Sequence, residues 1–257
     1  MKQILTLQTL IVGIPVRVDS EERKANLLTV ISYLRVLRCQ IIVLEADSQP
    51  KMECLGDADE IVYMYVRDTN QTFHRTHYIN QILQVAQTEV VAIWDTDVLV
   101  EYSQIIEALH FIQHGATISY PYDGRFVMLS EDLSTQIRKH VDFDYMRSLK
   151  LKSFLGRKLC GGAYIVHRQR YLSCGGENEH FTGWGPEDAE RLHRVVILGH
   201  KACYVETGEL FHLYHPRGMN SSYKSKDNAR EMREEFIRVC CMTDTELKSY
   251  ISNEEYT

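Results

Sequence analysis

The chain has no run approaching the roughly 18 to 20 consecutive apolar residues that a membrane-spanning helix requires, so a helical span is not expected in it. It has no C-x-x-C pair, and its seven cysteines are an odd number. The first fact argues against a zinc knot and the second against a closed disulfide frame. Cys39, Cys54, Cys160, Cys174, Cys203, Cys240 and Cys241 are therefore expected as reduced, mostly buried thiols of a cytoplasmic protein. Positive charge is short: 29 Lys and Arg against 35 Asp and Glu leave a formal net charge of -6. No overall field gathers polyanions, which argues against nucleic acid as a main partner and means that an anionic ligand needs local cations. Residues 1–17 lack the small-residue cleavage pattern of a secretory signal, so none is expected. Repeats and low-complexity segments are absent as well.

What is present suits one large α/β domain or two small ones: 257 residues, 44% hydrophobic and 25% charged. Strand-like apolar runs occupy 10–14, 40–44, 61–66 and 90–94. Between them, 21–37 places Leu27, Leu28, Ile31, Leu34 and Val36 near helical spacing, and 74–88 does the same with Tyr78, Ile82, Leu83, Val85 and Ala86. This βαβ rhythm predicts a mostly parallel central sheet flanked by helices. A helix at 103–114 and a strand at 116–120 follow. From 121 to 158 the period is poor, which reads as an irregular excursion serving as a lid or an acceptor-side insertion. The remainder reads as a strand at 160–167, a helix at 186–198 with Pro186 in its first turn, strands at 202–206 and 209–213, and a charged, solvated helical tail after 224.

The apolar run Val90-Val91-Ala92-Ile93-Trp94 leads straight into Asp95-Thr96-Asp97. In an open α/β sheet, ligands bind at the carboxyl ends of the strands. Carboxylates one residue apart can reach a hard cation there, one directly and one through water, with substrate phosphate completing the shell. The D-x-D pattern is short and occurs twice more, at Asp57/Asp59 and Asp142/Asp144, where no long apolar strand precedes it. Those two pairs read as solvated surface acids.

Gly183-Trp184-Gly185-Pro186-Glu187-Asp188 sets two glycines around a large ring, followed by adjacent acids at a predicted helix start. Such a ring suits stacking on a sugar. The acids also have a plainer use, since negative charge complements a helix N-terminus.

These residues, with Gly161-Gly162-Ala163-Tyr164, Tyr171-Leu172, Gly175-Gly176-Glu177-Asn178 and Phe181, resemble the C-terminal domain of the beta-1,4-galactosyltransferase family, whose motif ends in W-G-W-G-x-E-D. Thr182 stands where that family has its first tryptophan. Ile14-Pro15-Val16-Arg17 is similar to the family's I-P-F-R turn, Phe73-His74-Arg75 with Asn80 to its F-N-R-A and following asparagine, and Asp95-Thr96-Asp97 to its D-V-D. Asp19 takes the place of a second family arginine. The resemblance spans residues 10–215.

It implies a GT-A fold in a single domain, with a donor half at 1–120, an acceptor-side half at 121–223 and the tail at 224–257. It implies an inverting, metal-dependent transfer of a hexose, galactose or an N-acetylhexosamine, from a UDP-sugar to a glycan acceptor in polysaccharide biosynthesis. Pro15, Arg17, Phe73, Arg75 and Asp95 would line the donor nucleotide site. Asp97 would bind Mn²⁺ or Mg²⁺ directly. Trp184, Gly185 and Glu187 would meet the sugars, and Asp188 would be the general base, with Glu187 beside it.

Family members complete the metal site with a histidine on a late loop, and here Phe211-His212-Leu213-Tyr214-His215 offers two. In an extended segment, residues three apart face opposite ways, so strand geometry lets only one of them join a shared metal and does not choose between His212 and His215. Two rival functions are a nucleotidyltransferase making sugar nucleotides and a non-catalytic carbohydrate-binding module. The first would want a glycine-rich basic loop after the first strand, where this chain has only Gly13. The second would not need Asp95, Asp97, Glu187 and Asp188 together. Peripheral membrane association is left open.

Overall fold

The computed structural model describes residues 9–253, so the leader reading of residues 1–17 lies partly outside the described residues. The chain begins with β1 (Leu10–Val16), α1 (Glu21–Leu34), β2 (Gln40–Asp47), β3 (Ile61–Arg67), α2 (Arg75–Val85) and β4 (Val90–Trp94). Every residue of β1 is buried, as a strand covered on both faces requires. Ser20 starts α1 by accepting a hydrogen bond from the Arg23 amide at 3.1 Å, with Glu21 and Glu22 in the first turn. Pro15 is tolerated inside β1 because pairing with β4 ends at Gly13, while pairing with β2 continues to Val16.

Next come β5 (Val98–Leu99), α3 (Tyr102–Gln113), β6 (Ile118–Tyr120), β7 (Phe126–Met128), α4 (Glu131–Lys139), α5 (Phe143–Ser148), β8 (Ala163–His167) and α6 (Arg168–Ser173). The described chain ends with α7 (Glu187–Ile197), β9 (Ala202–Tyr204), β10 (Leu210–His212), α8 (Lys226–Cys240) and α9 (Asp244–Ser252). The main sheet runs β3-β2-β1-β4-β8-β6-β9, and β8 alone is antiparallel to its neighbours. The mostly parallel sheet expected from the βαβ rhythm is therefore observed.

The region 121–158 is not the irregular excursion expected from its period. It holds β7, α4 and α5. Helix α4 is capped by Ser130, carries Glu131 and Asp132 in its first turn and Arg138 and Lys139 in its last, and buries only Ser134 and Ile137. A helix held by caps and end charges over so narrow a buried stripe leaves little apolar period to read. Strands β5 and β7 are too short to alternate visibly. They flank β10 in a small second sheet of order β5-β10-β7, and that sheet carries the late histidines to the end of β4.

Candidate active site

Strand β4 ends on a buried Trp94, whose indole nitrogen donates to the Val98 carbonyl at 3.1 Å and closes the chain into a tight turn over Asp95-Thr96-Asp97. The Asp95 amide donates to the Gly162 carbonyl at 2.8 Å, tying that turn to the chain entering β8. In β10, His212 pairs with Val98, and the Leu213 amide then donates to the Asp97 carbonyl at 2.7 Å. The two chain segments thus meet at Asp97.

His212 Nε2 lies 3.3 Å from Asp97 Oδ1, and His215 Nε2 lies 3.3 Å from Asp97 Oδ2. One ligand atom from each of the three residues falls within 4.8 Å of the others. The expectation that only one histidine could take part is corrected. Alternation of side chains holds only inside a strand, and β10 ends at His212, so the backbone turns the His215 ring back to the same side. Burial lowers the His212 pKa by more than the Asp97 carboxylate raises it, which keeps the imidazole neutral and its lone pair available. Its Nδ1 is buried without a partner. A carboxylate oxygen and two imidazole nitrogens form a donor set that fits Mn²⁺.

Asp95 is not in that cluster. Its Oδ1 accepts from Arg75 Nε at 3.1 Å and Nη2 at 2.6 Å, and Arg75 Nη1 lies 3.8 Å from Asp188 Oδ1. The one arginine from α2 therefore links the acid at the end of β4 to the acid at the start of α7.

Asp188, in the first turn of α7, is partly exposed and accepts from Arg191 Nη2 at 3.0 Å. It approaches Gly161 so closely that a Cβ there would lie 2.2 Å from its Oδ2. Arg191 is wholly buried and paired at 2.8 Å with Glu177, which also accepts from the Tyr171 hydroxyl at 2.6 Å. Burial alone would raise the Glu177 pKa, but Arg191 and the tyrosine hydroxyls outweigh it and bring it down to about 2. Glu187 is the opposite case. Burial, and then the Asp188 charge, push it up to about 8, so at neutral pH it is mostly protonated, and its Oε2 is buried without a partner.

Arg17 is no loose surface arginine. Its Nε donates to the Ala46 carbonyl at 3.0 Å, its Nη1 to the Asn70 carbonyl at 2.7 Å and its Nη2 to Asp68, and its guanidinium lies 5.5 Å from the centre of the Phe73 ring. Pro15 lies just before it, buried in β1. Trp184 is 45% exposed and meets Tyr223 edge-on at 4.7 Å. Gly183 before it has a φ of +76°, and a Cβ there would lie 2.7 Å from Thr72 Cγ2. Gly185 after it touches Glu187, because a Cβ there would lie 3.4 Å from Glu187 Oε2.

One residue went unread in the sequence. Arg23 of α1 places Nη1 3.4 Å from Asp97 Oδ2 and Nη2 3.3 Å from His215 Nδ1, while its Nε donates to Asp19 at 2.7 Å. The only local signal was Asp19 one helical turn earlier, inside an ordinary charged run. A separate hollow of about 810 Å³, lined among others by Glu101, Arg125, Arg147 and Phe211, shares none of these residues.

A mostly parallel sheet with acids at a strand's carboxyl end defines an open α/β fold that takes its ligand at that edge. A family model described as the N-terminal domain of galactosyltransferase matches residues 146–216, which include Gly161, Trp184, Asp188 and both late histidines. No curated protein sequence matches the chain. Among solved structures, the catalytic domain of Drosophila beta-1,4-galactosyltransferase 7 in complex with xylobiose superposes with a TM-score of 0.51 at 16% identity, over 92% of this chain and 82% of that one. A mutant of that enzyme with manganese, UDP-Gal and xylobiose gives 0.52 at 16% identity, over 85% of this chain and 77% of that one. GalNAc-T7 with UDP, GalNAc and Mn²⁺ gives 0.58 at 15% identity, over 95% of this chain but only 50% of that one. The chain thus has the fold of these glycosyltransferases, and over residues 146–216 it is similar in sequence to a galactosyltransferase domain.

Proposed function

We propose that this chain is a metal-dependent glycosyltransferase that moves a hexose, galactose or an N-acetylhexosamine, from a UDP-sugar to a hydroxyl of a glycan acceptor, with inversion at the anomeric carbon. The observation that carries this reading is the convergence of Asp97, His212 and His215 on one point, with Arg75 linking the adjacent Asp95 to Asp188. The solved structures of similar fold hold UDP or UDP-Gal with manganese, which supports the same donor here.

Asp97, His212 and His215 would hold Mn²⁺, which when bound supplies Lewis-acid stabilisation of the leaving diphosphate. Arg23 and Arg75 bring positive charge to the same place and offset the charge that develops there. Arg17 and Phe73 would frame the uridine. Trp184 would give the acceptor sugar a face to stack on. Glu187, protonated and without a partner, would donate a hydrogen bond to a sugar oxygen. Asp188 would take the proton from the acceptor hydroxyl as its oxygen bonds to the anomeric carbon and the bond from that carbon to the diphosphate breaks. Arg191 holds one oxygen of Asp188 and leaves the other for that proton.

The test is UDP release from UDP-Gal, UDP-GlcNAc and UDP-GalNAc with a panel of glycan acceptors, in Mn²⁺ and in EDTA, with the product's anomeric configuration read by NMR. Release that needs Mn²⁺ and an inverted product is expected. Release that is equal in EDTA, or a product of retained configuration, would overturn the mechanism.

A further inference from the structure

The chain's cations are unevenly spread. Residues 145–176 contain seven Lys and Arg and no Asp or Glu, in a protein of net charge -6. Of these seven, Arg168 and Arg170 donate to backbone carbonyls of Leu83 and Ile112. Lys152, Arg157 and Lys158 are exposed and join no ion pair among the described residues, and the same holds for Arg217. Between them, three apolar side chains stand in solvent: Leu151 at 38%, Phe154 at 52% and Leu155 at 39%.

The segment is not loose at its ends. The Phe154 amide donates to the Phe126 carbonyl at 2.6 Å and the Leu159 amide to the Gly124 carbonyl at 2.9 Å, so the backbone is pinned to the β7 region while these side chains point outward. The Arg217 guanidinium lies 5.9 Å from the centre of the Phe154 ring, and Lys158 lies 5.1 Å from that of Tyr204. The patch adjoins the site by two routes. It runs directly into Gly161, against which Asp188 packs, and Arg217 is two residues beyond His215.

We infer that this patch is a membrane-docking surface for an anionic lipid bilayer. Exposed aliphatic and aromatic side chains ringed by unpaired cations match the two faces of such an interface, with apolar groups entering the acyl boundary and cations meeting the headgroups. A net-acidic protein is repelled by an anionic surface in most orientations, so the exposed cations Lys152, Arg157, Lys158 and Arg217, which join no ion pair among the described residues, select one orientation. In that orientation the cleft around Asp188 opens beside the headgroups, where a lipid-linked glycan would present its hydroxyls.

The experiment is co-sedimentation of the full chain with phosphatidylcholine vesicles, with and without phosphatidylglycerol, at low and high salt. Binding to the anionic vesicles alone, lost at about 1 M salt where the screening length falls to about 3 Å, is expected. Each surface cation contributes roughly a fivefold factor, so a Lys152→Glu, Arg157→Glu double variant should bind at least tenfold more weakly. Phe154→Ser with Leu155→Ser should also weaken binding while leaving its salt dependence. Absence of binding, equal binding to neutral vesicles, or a charge-reversal variant that binds like the wild type would overturn the inference. Vesicle binding does not require the transferase reading. A separate thermal shift with UDP and Mn²⁺ on each variant shows that the fold and donor site persist, and keeps failure of one reading distinct from failure of the other.

Discussion

Asp188 depends on a neighbour without a side chain. A Gly161→Ala substitution would set its Cβ 2.2 Å from Asp188 Oδ2 and force the carboxylate off its contact with Arg191. Misplacement of a reacting group by about 1 Å costs on the order of a hundredfold, so kcat should fall by about that factor, while the thermal shift with UDP and Mn²⁺ is retained. Asp188→Asn should abolish transfer with the same retention of donor binding, and near-normal turnover in either variant would remove Asp188 from the role of base. Behind it, Glu177 carries a pH signature. Its folded pKa is about 2, below an ordinary glutamate's value of about 4.3. Its contribution to stability is therefore present above about pH 4.3 and is lost as pH falls toward 2. Glu177→Gln leaves Arg191 charged and buried with only the partly exposed Asp188 as an ion-pair partner, and should cost about 3 kcal/mol at pH 7. In urea titrations the gap between variant and wild type should narrow from pH 4 downward, and a gap independent of pH would show that the ion pair is not its source.

At the scale of elements, α2 can lie close to β1 because Gly13 has no side chain. A Cβ at Gly13 would lie 2.4 Å from Ile82 Cγ2. Gly13→Val should overpack this contact at a cost of about 1 to 3 kcal/mol, with a Tm several degrees lower in a thermal melt. An unchanged Tm would mean that the helix shifts without penalty. The long buried strands and amphipathic helices were legible because burial on one or both faces writes a period into the residues. Val90 to Trp94 matches β4 at both ends. Strands β5 and β7 were not legible, since two or three residues cannot show alternation, and α4 was not because caps and end charges, rather than a wide apolar face, support it. The shared side of His212 and His215 was not legible for a related reason. Strand alternation ends with β10 at His212 and does not extend through Leu213 and Tyr214.

For the molecule as a whole, a ligand that binds only the folded state raises stability by mass action, about 2.7 kcal/mol at a hundredfold excess over its Kd. UDP should raise the Tm in Mn²⁺ and not in EDTA, and Asp97→Asn should remove that dependence. A shift of equal size in EDTA would dissociate the nucleotide from the Asp97 cluster. Arg23→Ala should weaken the UDP response as well, because it removes the cation that α1 brings beside Asp97 and His215. The global charge of -6 argues against a general anion-binding field, yet cations gather locally, as Arg23 and Arg75 at the cleft and along residues 147–158.

The sequence by itself determined the sheet and its helices, because hydrophobic burial imposes periods of 2 and 3.6 on the residues that form them. It also placed Asp95 and Asp97 at a strand's end, since the apolar run and the acids are contiguous. Only the tertiary structure decided the partners. Asp97 with His212 and His215, Arg75 with both Asp95 and Asp188, and Arg23 with Asp97 are separated by 20 to 118 positions. Their meeting depends on the β4 turn, the β10 pairing with Val98 and the packing of α1 and α7 around one point, which no local pattern encodes.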